Sequence, residues 1–196
     1  MPKATLPTIA GGAQRSEDCR AAAQFTELAL PLLDDVYTLA RYLLGSTVDA
    51  EDAVQECYLR AFQHFHAYRG PAIKPWIFSI LRNVCNDEFA RRSRAKRSIT
   101  ESDPETLDDT APLWQEVRDT PETALLQQLD AATIRRLVAA LPTQFREAIV
   151  LREINSLSYR EIADVIGAPV GTVMSRLARA RFMLRTAWNA QEGLPA

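Results

Sequence analysis

The chain has 196 residues, enough for one large or two small domains, and 47% of them are hydrophobic, which is ordinary for a globular protein. Only seven residues are glycine, and no GxGxxG or GxxxxGK[ST] string occurs, which excludes the usual glycine-rich nucleotide-binding loops. The 25 acidic and 23 basic residues give a net charge of -2, which taken alone argues against a nucleic-acid partner.

The charge is distributed unevenly along the chain. Residues 82–97 carry six basic and two acidic side chains. Residues 98–133 carry one basic and nine acidic side chains, and residues 134–196 carry nine basic and five acidic ones. Because salt screens charges beyond about 10 Å, the acidic block does not neutralise the surfaces of the two basic ones. Binding to phosphate therefore remains possible.

The N-terminal part reads as an extension followed by helices. Residues 1–24, rich in Ala, Gly and Pro, predict a loosely ordered extension. From Phe25 to Leu43 apolar residues recur at spacings of three and four, which predicts a helix that Pro31 kinks or restarts and that Gly45 ends. A second helix is predicted to open at Asp49. Its predicted buried side consists of Val54, Tyr58, Ala61, Phe62 and Phe65.

The rest of the chain is also predicted to be helical. A third helix runs from about residue 75 to a basic end, RRSRAKR, and the large aromatic side chains at its start, Trp76 and Phe78, are of a kind found more often in cores than in contacts. Residues 98–120 are acidic and predict a linker, and helical periodicity resumes at Pro121. No apolar-polar alternation of any length occurs. The sequence therefore predicts an all-α fold, with two small helical domains joined by an acidic flexible linker.

Residues 158–185 have the pattern of a helix-turn-helix. Ile162 and Ile166 are predicted to face inward from the first helix, and Gly167 permits the turn. On the second helix, one exposed face carries hydroxyl and guanidinium groups that suit base edges and phosphates, at Thr172, Ser175, Arg176 and Arg179. The alternative is a solvated basic face of an ordinary helical hairpin.

Two stretches resemble one protein family. The string LPTQFREAIVLREINSLSYREIADVIGAPVGTVMSRLARAR resembles region four of bacterial extracytoplasmic-function (ECF) sigma factors, and DAEDAVQECYLRAF followed by YRG and WIFSILRNVCND is similar to their region two. The resemblance implies an extension over 1–24, region two over 25–97, an acidic linker over 98–120, region four over 121–188 and a tail over 189–196. It further implies a factor that binds core RNA polymerase, recognises minus-ten and minus-thirty-five elements, promotes melting, and initiates transcription of a stress or envelope regulon.

The resemblance also assigns three groups of residues. Docking on the β′ clamp helices falls to Asp49, Glu51, Asp52, Gln55 and Glu56. These acids have an alternative role as partners of the helix N-terminus. Contact with minus-ten DNA falls to Tyr68, Arg69, Lys74, Trp76, Arg82, Asn83, Arg91 and Arg92. Contact with minus-thirty-five DNA falls to Arg160, Gly171, Thr172, Met174, Ser175, Arg176 and Arg179. Met174 stands where the family often has Lys or Arg.

The implied partners are core RNA polymerase, through its β′ and β subunits, promoter DNA, and an anti-sigma factor. We expect a cytoplasmic protein without membrane insertion, catalytic residues, cofactor or metal. One alternative is a stand-alone helix-turn-helix regulator whose N-terminal helical domain mediates interactions. Another, a metal or redox sensor built on Cys57, His64, His66 and Cys85, is disfavoured because His66 lies off the helical face that Cys57 and His64 share.

Overall fold

The structure, a computed structural model, describes residues 11–99 and 132–192, and all regular elements within these ranges are helical, which confirms the all-α prediction. The N-terminal half contains α1 (Gly11–Ala29), a 3-10 turn (Leu30–Leu32), α2 (Leu33–Leu44), α3 (Thr47–His64), a second 3-10 turn (Phe65–Ala67) and α4 (Ile73–Ile99). The C-terminal half contains α5 (132–139), α6 (Thr143–Ile149), a π-helical turn (Val150–Ile154), α7 (Tyr159–Ile166) and α8 (Val170–Glu192). No helix within the two described ranges is both long and apolar enough to span a membrane.

Local sequence signals set the helix ends. Gly45 and Gly167 adopt left-handed φ values of 76° and 64° at the C-termini of α2 and α7, a conformation that costs other residues strain. Ser158 accepts a hydrogen bond from the backbone of Glu161, whose side chain accepts one in return from the backbone of Ser158. This capping box starts the first helix of the helix-turn-helix where the sequence predicts it.

The N-terminus differs from its prediction. Residues 11–24 belong to α1 instead of a loose extension, because the alanines at 21–23 favour helix and Phe25 anchors the helix to the core. The Phe25 ring packs edge-to-face on Phe62 and Phe65, with centroid distances of 5.4 and 5.3 Å. Residues 1–10, the predicted linker from residue 100 onward and the tail residues 193–196 lie outside the described ranges.

One apolar cluster runs through both halves of the chain. Leu39, Ile77 and Leu81 contribute to it from the N-terminal half, and Leu151 and Ile162 from the C-terminal half, all nearly without exposed surface. α6 packs against α2, and α7 packs against α4. The two small helical domains that the sequence predicts are present. Their contact with each other was not predicted, because periodicity identifies a buried face without identifying its partner.

Two aromatic predictions have opposite outcomes. Phe78 is completely buried, as predicted. Phe62, predicted to face inward from α3, keeps 49% of its surface exposed. Ala61 and Phe65 occupy the centre of the buried stripe, and Phe62 lies at its margin, where spacing alone does not separate buried from exposed positions.

Candidate functional site

The second helix of the helix-turn-helix, α8, has one buried side and one exposed side. Val173 and Leu177 are buried on the inner side of this helix. The residues predicted to face DNA are exposed or half-buried, namely Arg160, Gly171, Thr172, Met174, Ser175, Arg176 and Arg179. The α8 face therefore combines hydroxyl and guanidinium donors with an apolar thioether, since the Met174 side chain is 53% exposed.

Two contacts define this surface further. The Ser175 hydroxyl donates to the Thr172 carbonyl at 2.9 Å, a bond within the helix that leaves the oxygen able to accept. Arg181 pairs with Glu153 at 2.7 Å. This pair reduces the positive charge at one edge of the surface.

The exposed face of α3 carries acidic, amide and apolar groups together. Glu51, Asp52 and Gln55 are exposed, as a docking surface requires. Leu59 and Phe62 are exposed close to them, one and two helical turns further along. Sequence reasoning missed these two residues, although their signal, large apolar side chains beside exposed acids, was present. We call Glu51, Asp52, Gln55, Leu59 and Phe62 the α3 face.

The other two predicted docking acids are engaged within the chain. Asp49 contacts Arg92 at 2.5 Å, and Glu56 contacts Arg60 at 2.6 Å. Partial burial raises the pKa of Asp49, but hydrogen bonds from Ser46 and Arg92 outweigh that effect and hold it below its ordinary value. Asp49 therefore helps to attach α3 to α4, and Glu56 pairs within α3, so both contribute less to a free surface.

An aromatic cavity lies where α4 begins. Phe65, Tyr68 and Trp76 form a cluster, with centroid distances of 6.1 Å from Phe65 to Tyr68 and 5.0 Å from Tyr68 to Trp76. The adjoining cavity has a volume of about 330 Å³ and is lined by the 67–72 loop, Pro75, Trp76 and Ser79, with Asp164 from α7 at its edge. Arg69 is exposed and donates to the carbonyls of His66 and Tyr68. Tyr68, Arg69 and Trp76 are thus brought together, as a base-binding pocket requires.

The other residues predicted to contact minus-ten DNA have different surroundings. Lys74 pairs with Asp35 at 2.7 Å, and Arg82 pairs with Glu147 of α6 at 2.6 Å. Arg91 and Arg92 both pair with Glu88. Asn83 is exposed. Most of these cations therefore have acidic partners in the chain, and sequence reasoning identified neither Glu147 nor Asp164 as a neighbour.

Taken together, these observations define an all-helical protein with a helix-turn-helix motif. Comparison with known proteins specifies the family. The Sigma-70 region 2 family matches residues 28–95, and the Sigma-70, region 4 family matches residues 131–184. Each match falls in one half of the structure, and together they include the α3 face, the aromatic cavity and the helix-turn-helix.

Full-length relatives point the same way. The chain is 33% identical to the ECF RNA polymerase sigma factor SigE of Mycolicibacterium smegmatis over 168 residues, which are 86% of this chain and 63% of that protein. It is 32% identical to the ECF RNA polymerase sigma factor SigM of Bacillus subtilis, over 80% of this chain and 90% of that protein. The chain belongs to the ECF sigma factors of RNA polymerase.

Solved structures share the fold. The sigma factor RpoE from Bartonella quintana, in complex with the anti-sigma factor NepR, superposes with a TM-score of 0.65 at 27% identity, over 83% of this chain and 95% of that one. CnrH, in complex with the cytosolic domain of CnrY, gives a TM-score of 0.58 at 24% identity, over 91% and 98%. The second match concerns the fold alone.

Proposed function

We propose that this sigma factor docks on core RNA polymerase through the α3 face, captures unstacked minus-ten bases at the aromatic cavity, and reads the minus-thirty-five element with α8. The observation that carries the proposal is that these three surfaces lie in the two halves that match regions 2 and 4. The promoters that this sigma factor recognises are proposed to control a stress or envelope regulon.

Docking through the α3 face follows from its chemistry. Glu51 and Asp52 attract a basic partner helix, and Gln55 adds hydrogen-bonding capacity. Leu59 and Phe62 provide the apolar contact that resists dissociation, because desolvated aromatic anchors contribute much of the energy of interfaces. A basic coiled coil with apolar positions, such as the β′ clamp helices, fits this combination.

Capture of minus-ten bases uses stacking and charge. Tyr68 and Trp76 offer aromatic surfaces for an unstacked base, a contact worth about 1–3 kcal/mol per base. Arg69 is exposed beside these rings, and Asn83 is exposed further along α4. Each can contact phosphate or a base edge. Because a cavity of about 330 Å³ is at the small end of ordinary ligand sites, it suits one base at a time.

Reading of the minus-thirty-five element places α8 in the major groove. Arg176 and Arg179 can donate to guanine edges or phosphates, while Thr172 and Ser175 can donate or accept. Met174, without a charge, provides an apolar contact of the kind that thymine methyl groups make. Promoter preference at that position is therefore expected to differ from that of relatives with a basic residue there.

An anti-sigma factor is the proposed negative regulator. The structural relative RpoE was crystallised with the anti-sigma factor NepR. By analogy, we place this chain in the cytoplasm, where polymerase and DNA are available to it.

Transcription in vitro with core polymerase and a promoter library tests the proposal. We expect the wild-type chain to direct initiation from a subset of promoters. Asp52→Arg should lower the affinity for core polymerase at least about tenfold, because it places a cation opposite a basic partner. Glu153→Arg makes the same charge change on an exposed residue of the C-terminal half and should bind as wild type does. Tight promoter binding without core polymerase, or no initiation from any promoter, would refute the proposal.

A further inference from the structure

An exposed row of apolar side chains runs along α8, next to the residues that the proposed function assigns to base reading. Met174, Ala178 and Phe182 follow one another at intervals of four residues, so they lie on one side of the helix. Phe182 is 69% exposed, more than any other large apolar residue in the described ranges. Single exposed apolar residues are ordinary, but a contiguous row that ends in an exposed aromatic ring indicates a contact surface.

Arginine side chains lie on both sides of the Phe182 ring. Arg179 precedes Phe182 by three residues and Arg185 follows it by three, which places them about 60° to either side of it around the helix. Both arginines are exposed, and neither forms an ion pair with an acidic side chain within the described ranges. We call Arg179, Phe182 and Arg185 the α8 cluster.

The charge of the α8 cluster is not cancelled by its own helix. Arg181, on the same turn as Phe182, pairs with Glu153 at 2.7 Å, and its hydrogen bonds to Glu153 and Tyr159 raise the pKa of its guanidinium group. The acidic residue of α8 is Glu192, ten positions beyond Phe182. Arg179 and Arg185 therefore keep their full charge for an anionic partner outside the chain.

The order of groups in the α8 cluster is cation, aromatic ring, cation. A DNA strand has the complementary order, because the apolar faces of its sugars separate anionic phosphates. Successive phosphates of one strand advance by about 3.4 Å along the duplex axis. The Cα atoms of Arg179 and Arg185 are about 9 Å apart along α8, so their long side chains can reach different phosphates.

An apolar protein partner fits this surface less well. It would cover Phe182 and Met174, but it would also remove Arg179 and Arg185 from water without giving them anionic partners. Burying a charge without a partner costs far more than the burial of one ring returns. Charge complementarity therefore favours the DNA backbone as the partner of the α8 cluster.

We propose that the α8 cluster is a second DNA-contact site of this chain, which binds the sugar–phosphate backbone of duplex DNA. Arg179 and Arg185 bind two phosphates of one strand, and the Phe182 ring packs on the sugar between them. The inference rests on the proposed function, because α8 must lie against the duplex for the cluster to reach its backbone. Since the backbone is the same in every sequence, this contact adds affinity without sequence preference.

The test measures binding of the full chain to a short, fluorescein-labelled DNA duplex of random sequence, by fluorescence anisotropy at several salt concentrations. Phe182→Ala should weaken binding about fivefold, because the ring loses its apolar contact. It should leave the salt dependence unchanged, because no charge is lost. Arg185→Ala should reduce the slope of log K against log salt concentration by about 0.9, the amount for one phosphate contact. Arg185→Lys keeps the charge and should keep the slope.

Two matched controls remove similar side chains from the N-terminal half. Leu30→Ala removes an apolar side chain from a residue that is 53% exposed, and Arg20→Ala removes an exposed cation from α1. Both should bind the duplex as the wild-type chain does. All the substituted residues are exposed, so each variant should fold, which circular dichroism checks.

Several outcomes would overturn the α8 cluster as a DNA contact. Phe182→Ala binding as tightly as Leu30→Ala, or Arg185→Ala keeping the wild-type slope, would do so. Absence of duplex binding by the wild-type chain at low salt would also do so. If Phe182→Ala weakened only the affinity for core polymerase, or only self-association of the chain, the row would be a protein contact instead. A chain that gives the expected binding results but initiates from no promoter would refute the proposed function and leave the DNA contact standing.

Discussion

Replacing Arg82 by alanine is expected to destabilise the chain more than replacing both members of its ion pair. Removing one partner of a fully buried pair costs about 3–5 kcal/mol, because the other charge stays buried without compensation. Since Arg82 is 26% exposed and water can reach its place, we expect a loss of about 2 kcal/mol in the free energy of unfolding. Arg82→Met combined with Glu147→Leu should lie within about 1 kcal/mol of wild type.

The loss of stability in Arg82→Ala should also depend on pH, in a direction set by the protonation of Glu147. Its folded-state pKa is raised, so the folded chain binds a proton more tightly than the unfolded chain does. The contribution of this group to stability is therefore largest below the unfolded-state pKa and disappears as the pH rises through the folded-state pKa. Without Arg82 the pKa rises further, so the deficit of Arg82→Ala should be largest near neutral pH and shrink in mild acid.

Urea unfolding followed by circular dichroism, at neutral pH and in mild acid, measures both effects. Arg60→Ala is the matched control, because Arg60 is more exposed and pairs with Glu56 and Asp87. It should cost less than about 1 kcal/mol, the usual limit for exposed pairs. The reasoning would be refuted if Arg82→Ala were as stable as the double variant. It would also be refuted if the stability that Arg82→Ala loses relative to wild type grew in acid.

Three other predictions concern single positions. Gly167→Ala should lower the free energy of unfolding by about 1 kcal/mol in thermal or urea denaturation, because its φ of 64° strains any side chain even though space is open around it; an unchanged midpoint would contradict this. Ser158→Ala should also lower the free energy of unfolding by about 1 kcal/mol. Because Ser158 lowers the pKa of Glu161, this difference in stability from wild type should shrink as the pH falls through that pKa. A difference that grew in acid would oppose this account. Burial raises the pKa of the Cys57 and Cys85 thiols to about 12 each, so a thiol reagent at mildly alkaline pH should modify neither until the chain unfolds, as mass spectrometry would show; rapid labelling of either in the folded chain would count against their burial.

Local chemistry made much of the helical architecture predictable. Gly45, Ser158 and Gly167 each determine a helix end through a conformation or hydrogen bond that involves only near neighbours in sequence. Spacing identified buried positions such as Ile162 and Ile166, because one face of each helix packs against the core. These signals lie within a few residues of the positions they determine.

Contacts between distant residues were not predictable in this way. Arg82 and Glu147 are 65 positions apart, and nothing in the composition of either segment pairs them. A basic residue near a DNA-binding motif therefore looks free in the sequence, although the fold gives it an acidic partner. The π-helical turn at Val150–Ile154 also escaped prediction, since it is defined by i→i+5 hydrogen bonds that the spacing of apolar residues does not specify.

The apolar cluster shared by the two halves matters most when many copies of the chain are close together. A chain whose halves separate exposes apolar faces that another separated copy can cover with identical contacts, α4 of one copy against α7 of the other. Such a reciprocal exchange forms a closed dimer without any new surface, and dilution favours its return to single chains. Concentrated solutions of the chain under mildly destabilising conditions should accordingly contain exchanged dimers, which size-exclusion chromatography would detect.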